Sequence, residues 1–235
     1  MSGNAFLPIY DRLYRHYGPR FWWPAETAFE VMIGAILTQN TSWTNVERAL
    51  VGLRKLTRLE PQAIAELSLD RLGEALRPVG YFNVKAKRLQ AFCRWLLAQG
   101  GEERVGERDT LSLRKDLLAV HGIGPETADD ILLYAFGRPV FVIDSYTRRI
   151  FDRLGLAKGE RSYEDLRALF EQALPNDSTL YNEYHALIVE HAKTTCRPRP
   201  LCLHCVLKDL CQMGSIDAPE AGQTKKVGSK PRRGR

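Results

Sequence analysis

Apolar residues recur at three-to-four spacing through most of the chain, in residues 27–38, 43–57, 61–76, 84–98, 111–120, 125–136, 145–154, 162–173 and 179–194. That period lays one face of a helix against a core. Short loops carrying Gly, Pro, Asn or Asp separate the segments. The run PVFVI at 139–143 is β-branched and continuous, as a buried strand would be. No second run offers it a pairing partner, and Asp144 behind it is a residue type that caps helices. It therefore reads as the approach to the next helix, and the pattern predicts an all-α fold.

A chain of 235 residues is long enough for one large domain or two small ones sharing a core. Its 44% apolar and 26% charged residues are those of a globular protein. Every apolar stretch is broken before the ~18 residues a membrane span needs, and the first twenty residues lack a signal-peptide layout. The expectation is a cytoplasmic, nucleoid-associated protein that does not enter membranes. The net charge of +6 suggests a nucleic-acid partner, but its placement weakens the point. Six of the 34 basic residues lie in KKVGSKPRRGR, 225–235, and the remaining 28 are matched by the 28 acidic ones. The tail, from 213 onward, reads as a disordered basic extension.

The chemistry concentrates in three places. The segment LSLRKDLLAV is expected to bury Leu111, Leu113, Leu117, Leu118 and Val120. His121-Gly122-Ile123-Gly124 follows, then Pro125 at a first helical position. Both glycines permit positive φ, and backbone N–H groups exposed beside a helix N-terminus suit a phosphate oxygen. A plain turn with a glycine cap is the alternative. Further back, Phe21, Trp22, Trp23 and Trp43 surround the polar run Thr38-Gln39-Asn40-Thr41. This is either core packing or a slot for an extruded base. Near the C-terminus Cys196, Cys202, Cys205 and Cys211 are spaced C-x5-C-x2-C-x5-C, a pattern that points to metal rather than disulfides in a reducing compartment. Zinc and a [4Fe-4S] cluster both take four thiolates. Cys93 lies on an apolar helix face and reads as a core thiol.

The ordered series HGIG, PETADDILLYAFG, RPVFVID and SYTRRIFDRLG resembles the helix-hairpin-helix, Gly/Pro and Asp motif of the DNA glycosylase superfamily that includes endonuclease III. VGYFNVKAKRL (79–89) and the C-terminal cysteines extend the likeness over about residues 25–212. It implies two helical lobes with damaged double-stranded DNA between them. One lobe would span 28–138, and the other would join 1–27 to 139–212. The hairpin residues Gly122, Ile123 and Gly124 would meet DNA, and a monomer is expected. It also implies that Asp144 is catalytic rather than only a cap, because breaking an N-glycosidic bond builds positive charge on the sugar.

In relatives with lyase activity the residue two after the second hairpin glycine is a lysine that forms a Schiff base. Glu126 stands there, so the lyase step is expected to be absent. Mismatch adenine glycosylases keep a glutamate where this chain has Ala35. FWWPAETAFEVMIGAILTQNTSW and LYNEYHALIVEHAK are similar to the endonuclease III-related 3-methyladenine DNA glycosylases. That likeness implies a base pocket of Trp22, Trp23, Trp43 and Lys193, with Gln39 filling the gap left by the flipped nucleotide. The likeness to endonuclease III implies a [4Fe-4S] cluster on Cys196, Cys202, Cys205 and Cys211, although the first gap is one residue shorter than in those relatives and holds two prolines. Arg197, Arg199 and Lys208 would face phosphate. Two other functions are weighed beside alkylpurine excision. One is an endonuclease III-type glycosylase for oxidised or mismatched pyrimidines, and the other is a non-catalytic helix-hairpin-helix DNA-binding protein.

Overall fold

The computed structural model describes residues 5–22, 25–157, 159 and 161–214, so Trp23 and the basic tail at 225–235 lie outside the described residues. Among the described residues every regular element is helical. In chain order these are α1 (Phe6–Tyr17), α2 (Ala28–Leu37), α3 (Trp43–Leu56), α4 (Pro61–Glu66), α5 (Leu69–Ala75), α6 (Phe82–Ala98) and α7 (Glu102–Gly106). Then follow α8 (Thr110–Ala119), α9 (Pro125–Asp130) running into a π turn at Ile131–Ala135, α10 (Ser145–Leu154), α11 (Tyr163–Ala173) and α12 (Ser178–Thr194). The run 139–143 carries no regular secondary structure, and Val140, Phe141, Val142 and Ile143 are all buried. Among the described residues no helix is long and apolar enough to cross a membrane.

The structure departs from the periodic reading in four ways. Helix α1 is an addition: Pro8 falls in its first turn, where a missing N–H costs nothing, and Phe6, Ile9 and Leu13 form its buried stripe. Helix α7 is a second, short addition. The segment 61–76 is two helices, because Leu67 is extended and Ser68 starts a new cap by accepting from Arg71 N–H. On α8 only Leu113 and Leu117 are fully buried, while Leu111 is 75% exposed and Leu118 lies at the surface. Four leucines in eight residues span more than one helix face, so they cannot all reach one core.

The apolar residues form two clusters. One gathers α2, α3, α5, α6, the hairpin residues Val120 and Ile123, and Ile131 and Leu132 of the π turn. Helix α2 is its centre, with every residue from Phe29 to Leu37 buried. The other gathers α1, α10, α11 and α12 with Phe141, Val142 and Ile143. Leu133 belongs to this second cluster, so neighbouring residues of the π turn face different cores. An ion-pair chain also crosses from one to the other. Arg114 on α8 makes two hydrogen bonds to the fully buried Asp129 carboxylate, at 2.6 and 3.1 Å, and a third to Glu164 on α11 at 2.7 Å. Burial pushes the Asp129 carboxyl up, and the Arg114 partner opposes that rise.

Candidate active site

The hairpin between α8 and α9 is built by one glycine rather than two. Gly122 has φ +88°, a conformation that side chains resist, and Ile123 behind it is buried and donates from its N–H to Val120 O at 3.1 Å. Gly124 has φ −95° and ψ 178°, ordinary extended backbone, so the expectation that both glycines use positive φ is corrected. A Cβ at Gly122 would overlap the Arg88 side chain, while one at Gly124 would meet nothing within 4 Å. Gly122 is thus set by conformation and close packing, and Gly124 leaves open space at the start of α9.

Gln39 joins the loop after α2 to this hairpin. Its Nε2 donates to Gly122 O at 3.0 Å and to Thr127 Oγ1 at 2.9 Å, and its Oε1 accepts from Arg88 Nη1. The loop itself is fixed from below. Lys85 is buried and donates to Leu37 O at 3.0 Å and Val79 O at 2.7 Å, closing the C-terminal end of α2. Burial, with the Arg88 charge nearby, pulls the Lys85 amine down to about 8. Gln39, Asn40, Arg88, the hairpin, Glu126, Asp144 and Arg148 line an open cleft of about 710 Å³. Gln39 therefore sits in this cleft, at its hairpin edge, and is not part of the narrower pocket beyond.

That pocket, of about 140 Å³, adjoins the cleft through two shared carboxylates, Glu126 and Asp144. Trp22, Trp43 and Lys193, three of the residues singled out in the sequence, line it. Both indoles are half-buried, and Lys193 Nζ lies 5.7 Å above the Trp22 ring in a cation–π contact. Four titratable groups that line it were not assigned to the site from the sequence: Glu126, Asp130, Tyr146 and His185. Two spacings carried the signal. Asp130 follows Glu126 by four residues, one helical turn, and His185, Val189 and Lys193 follow one another by four along α12.

Asp144 caps α10 and does more besides. Its carboxylate accepts from Thr147 N–H at 2.7 Å, and Oδ2 lies 3.6 Å from His185 Nε2. The side chain is 12% exposed, at the junction of cleft and pocket. Burial pushes the Asp144 carboxyl up, but His185 and the Thr147 N–H together outweigh it and hold the group below the ordinary aspartate range. The opposite holds for its neighbours. Burial first, and then the Asp144 charge, raise Glu126. Burial followed by Glu126 and Asp144 raises Asp130 well above the usual range. One carboxylate held low beside neighbours pushed upward is an arrangement suited to stabilising a nearby cation and accepting a proton.

The cysteine segment packs behind this site. Cys196, Cys202, Cys205 and Cys211 line one small cavity together with Arg153 and Leu201, and Cys196 is buried. Burial raises the Cys205 thiol, and the other three cysteines raise it further by their charge, which places all four near one another. Arg153 Nη1 lies 3.3 Å from Cys196 Sγ. Among the described residues no three Cys, His, Asp or Glu side chains already converge as a metal site. The two short turns Cys202–His204 and Lys208–Leu210 return the chain to the cavity despite the shortened first gap.

Residues 33–176 match the family model described as the HhH-GPD superfamily of base excision DNA repair proteins. The chain belongs to that superfamily. A protein of Methanocaldococcus jannaschii, provisionally named a DNA repair glycosylase, is 48% identical over 90% of this chain and 99% of its own length. The solved 3-methyladenine DNA glycosylase of H. pylori, bound to 1,N6-ethenoadenine, is 30% identical with a TM-score of 0.69, covering 82% of this chain and 98% of that one. An endonuclease III–DNA complex shares the fold with a TM-score of 0.79 at 21% identity, covering 92% of this chain and 98% of that one. This HhH-GPD protein is accordingly a DNA glycosylase of base excision repair, and DNA is its partner.

Proposed function

We propose that this glycosylase is monofunctional and hydrolyses the N-glycosidic bond of alkylated purines such as 3-methyladenine. The observation that carries the reading is the pocket itself, where the Trp22 and Trp43 rings stand beside the ionised Asp144 and residue 126 is an acid. A ring-methylated purine is flat and cationic, which suits stacking on indole faces. Its charge also makes it a good leaving group, so little acid catalysis is needed. When the bond breaks, the electron pair leaves with the base, which departs neutral. Asp144 then stabilises the sugar cation and accepts the proton of the attacking water. Glu126 cannot form an imine, and the only amine lining the pocket among the described residues, Lys193 Nζ, lies over Trp22. The Gly122 and Gly124 N–H groups and Arg148 would meet the DNA backbone on the cleft side, while Ile123, whose N–H is bonded to Val120 O, anchors the turn in the core.

The donor set at 196–211 fits a [4Fe-4S] cluster: four thiols share one cavity, with a guanidinium beside one sulfur. Cys196, Cys202, Cys205 and Cys211 would hold the cluster as thiolates, their protons lost to solvent, and so cross-link a segment whose regular structure is two short turns among the described residues. The metal test is iron content, with about four irons expected per chain, against a single zinc if the reading is wrong. The activity test is a panel of duplexes, each carrying one lesion, with borohydride added in parallel. Release of alkylated purines without a trapped protein–DNA adduct supports the proposal. Release of oxidised pyrimidines alone, or efficient trapping, contradicts it.

A further inference from the structure

Helix α12 brings a second polar group to the reacting carboxylate. His185 is 6% exposed, and its two ring nitrogens have different surroundings. Nδ1 is hydrogen-bonded to the Tyr134 hydroxyl. Nε2 is buried with no hydrogen-bond partner, and Asp144 Oδ2 lies 3.6 Å from it. That separation is too long for a direct hydrogen bond. Buried polar atoms are normally satisfied, so an orphaned nitrogen beside a reacting carboxylate implies something held between them. A water ~2.8 Å from each atom fits that gap.

We propose that His185 Nε2 and Asp144 Oδ2 together hold the water that attacks the sugar, and that Tyr134 fixes the histidine tautomer for this task. The inference rests on the hydrolytic reading above and adds a residue to it. Tyr134 stands on the π turn, and widened turns of that kind re-aim side chains at functional sites. Burial, and then the charges of Asp130 and Asp144, keep the Tyr134 hydroxyl protonated. With its proton in place it can donate to Nδ1, and the tautomer that accepts this bond carries the ring proton on Nε2. That N–H donates to one lone pair of the water, and the water donates one proton to Asp144. The second lone pair faces the sugar. As the bond from the sugar to the base breaks toward the base, the water oxygen bonds to the sugar carbon and its proton passes to Asp144.

The charged groups around His185 are Tyr134 from the π turn, Asp144 from α10, Glu126 and Asp130 from α9, and Lys193 from its own helix. Because His185 is what chiefly offsets the burial of Asp144, its removal should also raise the Asp144 carboxyl. A merely structural histidine would not give that signature together with an intact fold.

The experiment uses the full chain with His185→Leu, His185→Gln and Tyr134→Phe. Single-turnover release of methylated adenine, affinity for abasic DNA, unfolding temperature and the pH profile are measured for each. His185→Leu is expected to slow excision on the order of 10²-fold and to move the acid limb of the profile to higher pH. Abasic-DNA affinity should hold. His185→Gln keeps an N–H donor and should recover part of the rate, and Tyr134→Phe should lose less than His185→Leu. Wild-type rates and acid limbs in folded His185→Gln and Tyr134→Phe would overturn the inference, whether or not His185→Leu folds. So would a rate loss matched by equal losses of unfolding temperature and abasic binding. If the wild type releases a different base, the substrate reading fails, and the same variants assayed on that base still decide the role of His185.

Discussion

Arg149 Nε donates to the Cys196 carbonyl at 3.0 Å, so the helix whose first turn Asp144 caps also grips the cysteine segment. One turn further, Arg153 donates to Arg197 O at 2.7 Å and Pro198 O at 3.1 Å, and Cys211 Sγ meets Arg153 O. Helix α10 is thereby held at one end by the Asp144 cap and along its length by the loop of thiols. Arg149→Ala removes the donor of the Ala192 carbonyl and leaves the Cys196 carbonyl only the longer bond from Arg153 Nη1 at 3.4 Å, at a cost of about 1–3 kcal/mol. We expect a lower unfolding midpoint and reduced iron retention on dialysis against a chelator. An unchanged midpoint with unchanged iron would show that the contact holds nothing in place.

The two hairpin glycines should behave differently. Gly122→Ala forces a side chain into φ +88° and against Arg88, costing about 1–2 kcal/mol of stability. It should also disturb Gln39, whose amide is bonded to the Gly122 carbonyl. Gly124→Ala meets no neighbour and no backbone strain, so urea unfolding should be unchanged. Any effect it has should appear as weaker DNA binding of similar size on every sequence, as loss of a phosphate contact requires. Equal destabilisation by both variants would contradict this account of the turn.

Lys85 tests the support under the loop that carries Gln39. Lys85→Met would leave the Leu37 and Val79 carbonyls without a donor in the core, an expected loss of about 1–3 kcal/mol. The sign with pH is also fixed. The folded amine titrates near 8, below its unfolded value of 10.5, so the unfolded chain binds more protons between those values. This group's contribution to wild-type stability therefore rises from about pH 8 to 10.5. Lys85→Met should abolish that rise in denaturant midpoints, and an identical slope in both proteins would contradict it.

What the sequence disclosed, and what it withheld, follows from the range of each interaction. The segment over 145–154 was legible because one apolar face and the Asp144 cap define it, that over 43–57 from its apolar face, and that over 27–38 from its dense apolar run behind the Thr27 cap. Asp144, Trp22, Trp43 and Lys193 came from motif likeness, and the fold does place them around one pocket. The break at Leu67–Ser68 was hidden because both halves keep the same apolar period. The Tyr134–His185 contact joins residues 51 apart through a π turn, which no periodicity announces. His185 reads in the sequence as one more polar residue on a buried helix. Only its spacing from Lys193 hinted that it faces the pocket.

The acid limb of the reaction isolates the ionisation of Asp144. Burial raises Asp144, and His185 with Thr147 N–H brings it below the ordinary aspartate range, so it stays charged as pH falls past the values of exposed acids. Glu126, raised by burial and by Asp144, takes its proton first. Activity should therefore persist on the acid side until Asp144 itself protonates, and Glu126→Gln should leave that limb in place, because Glu126 is already neutral there. Single-turnover rates across pH measure this, and a limb shifted by Glu126→Gln would contradict the electrostatic assignment.

Release of free 3-methyladenine from methylated DNA, by wild type and Asp144→Asn side by side, tests the central claim most directly. The wild type should release the base and leave an uncleaved abasic strand. Asp144→Asn should fold and bind abasic DNA, yet release the base on the order of 10²-fold more slowly or worse. A folded Asp144→Asn protein that excises methylated adenine at the wild-type rate would contradict the mechanism, and a wild type that releases only oxidised pyrimidines would contradict the substrate.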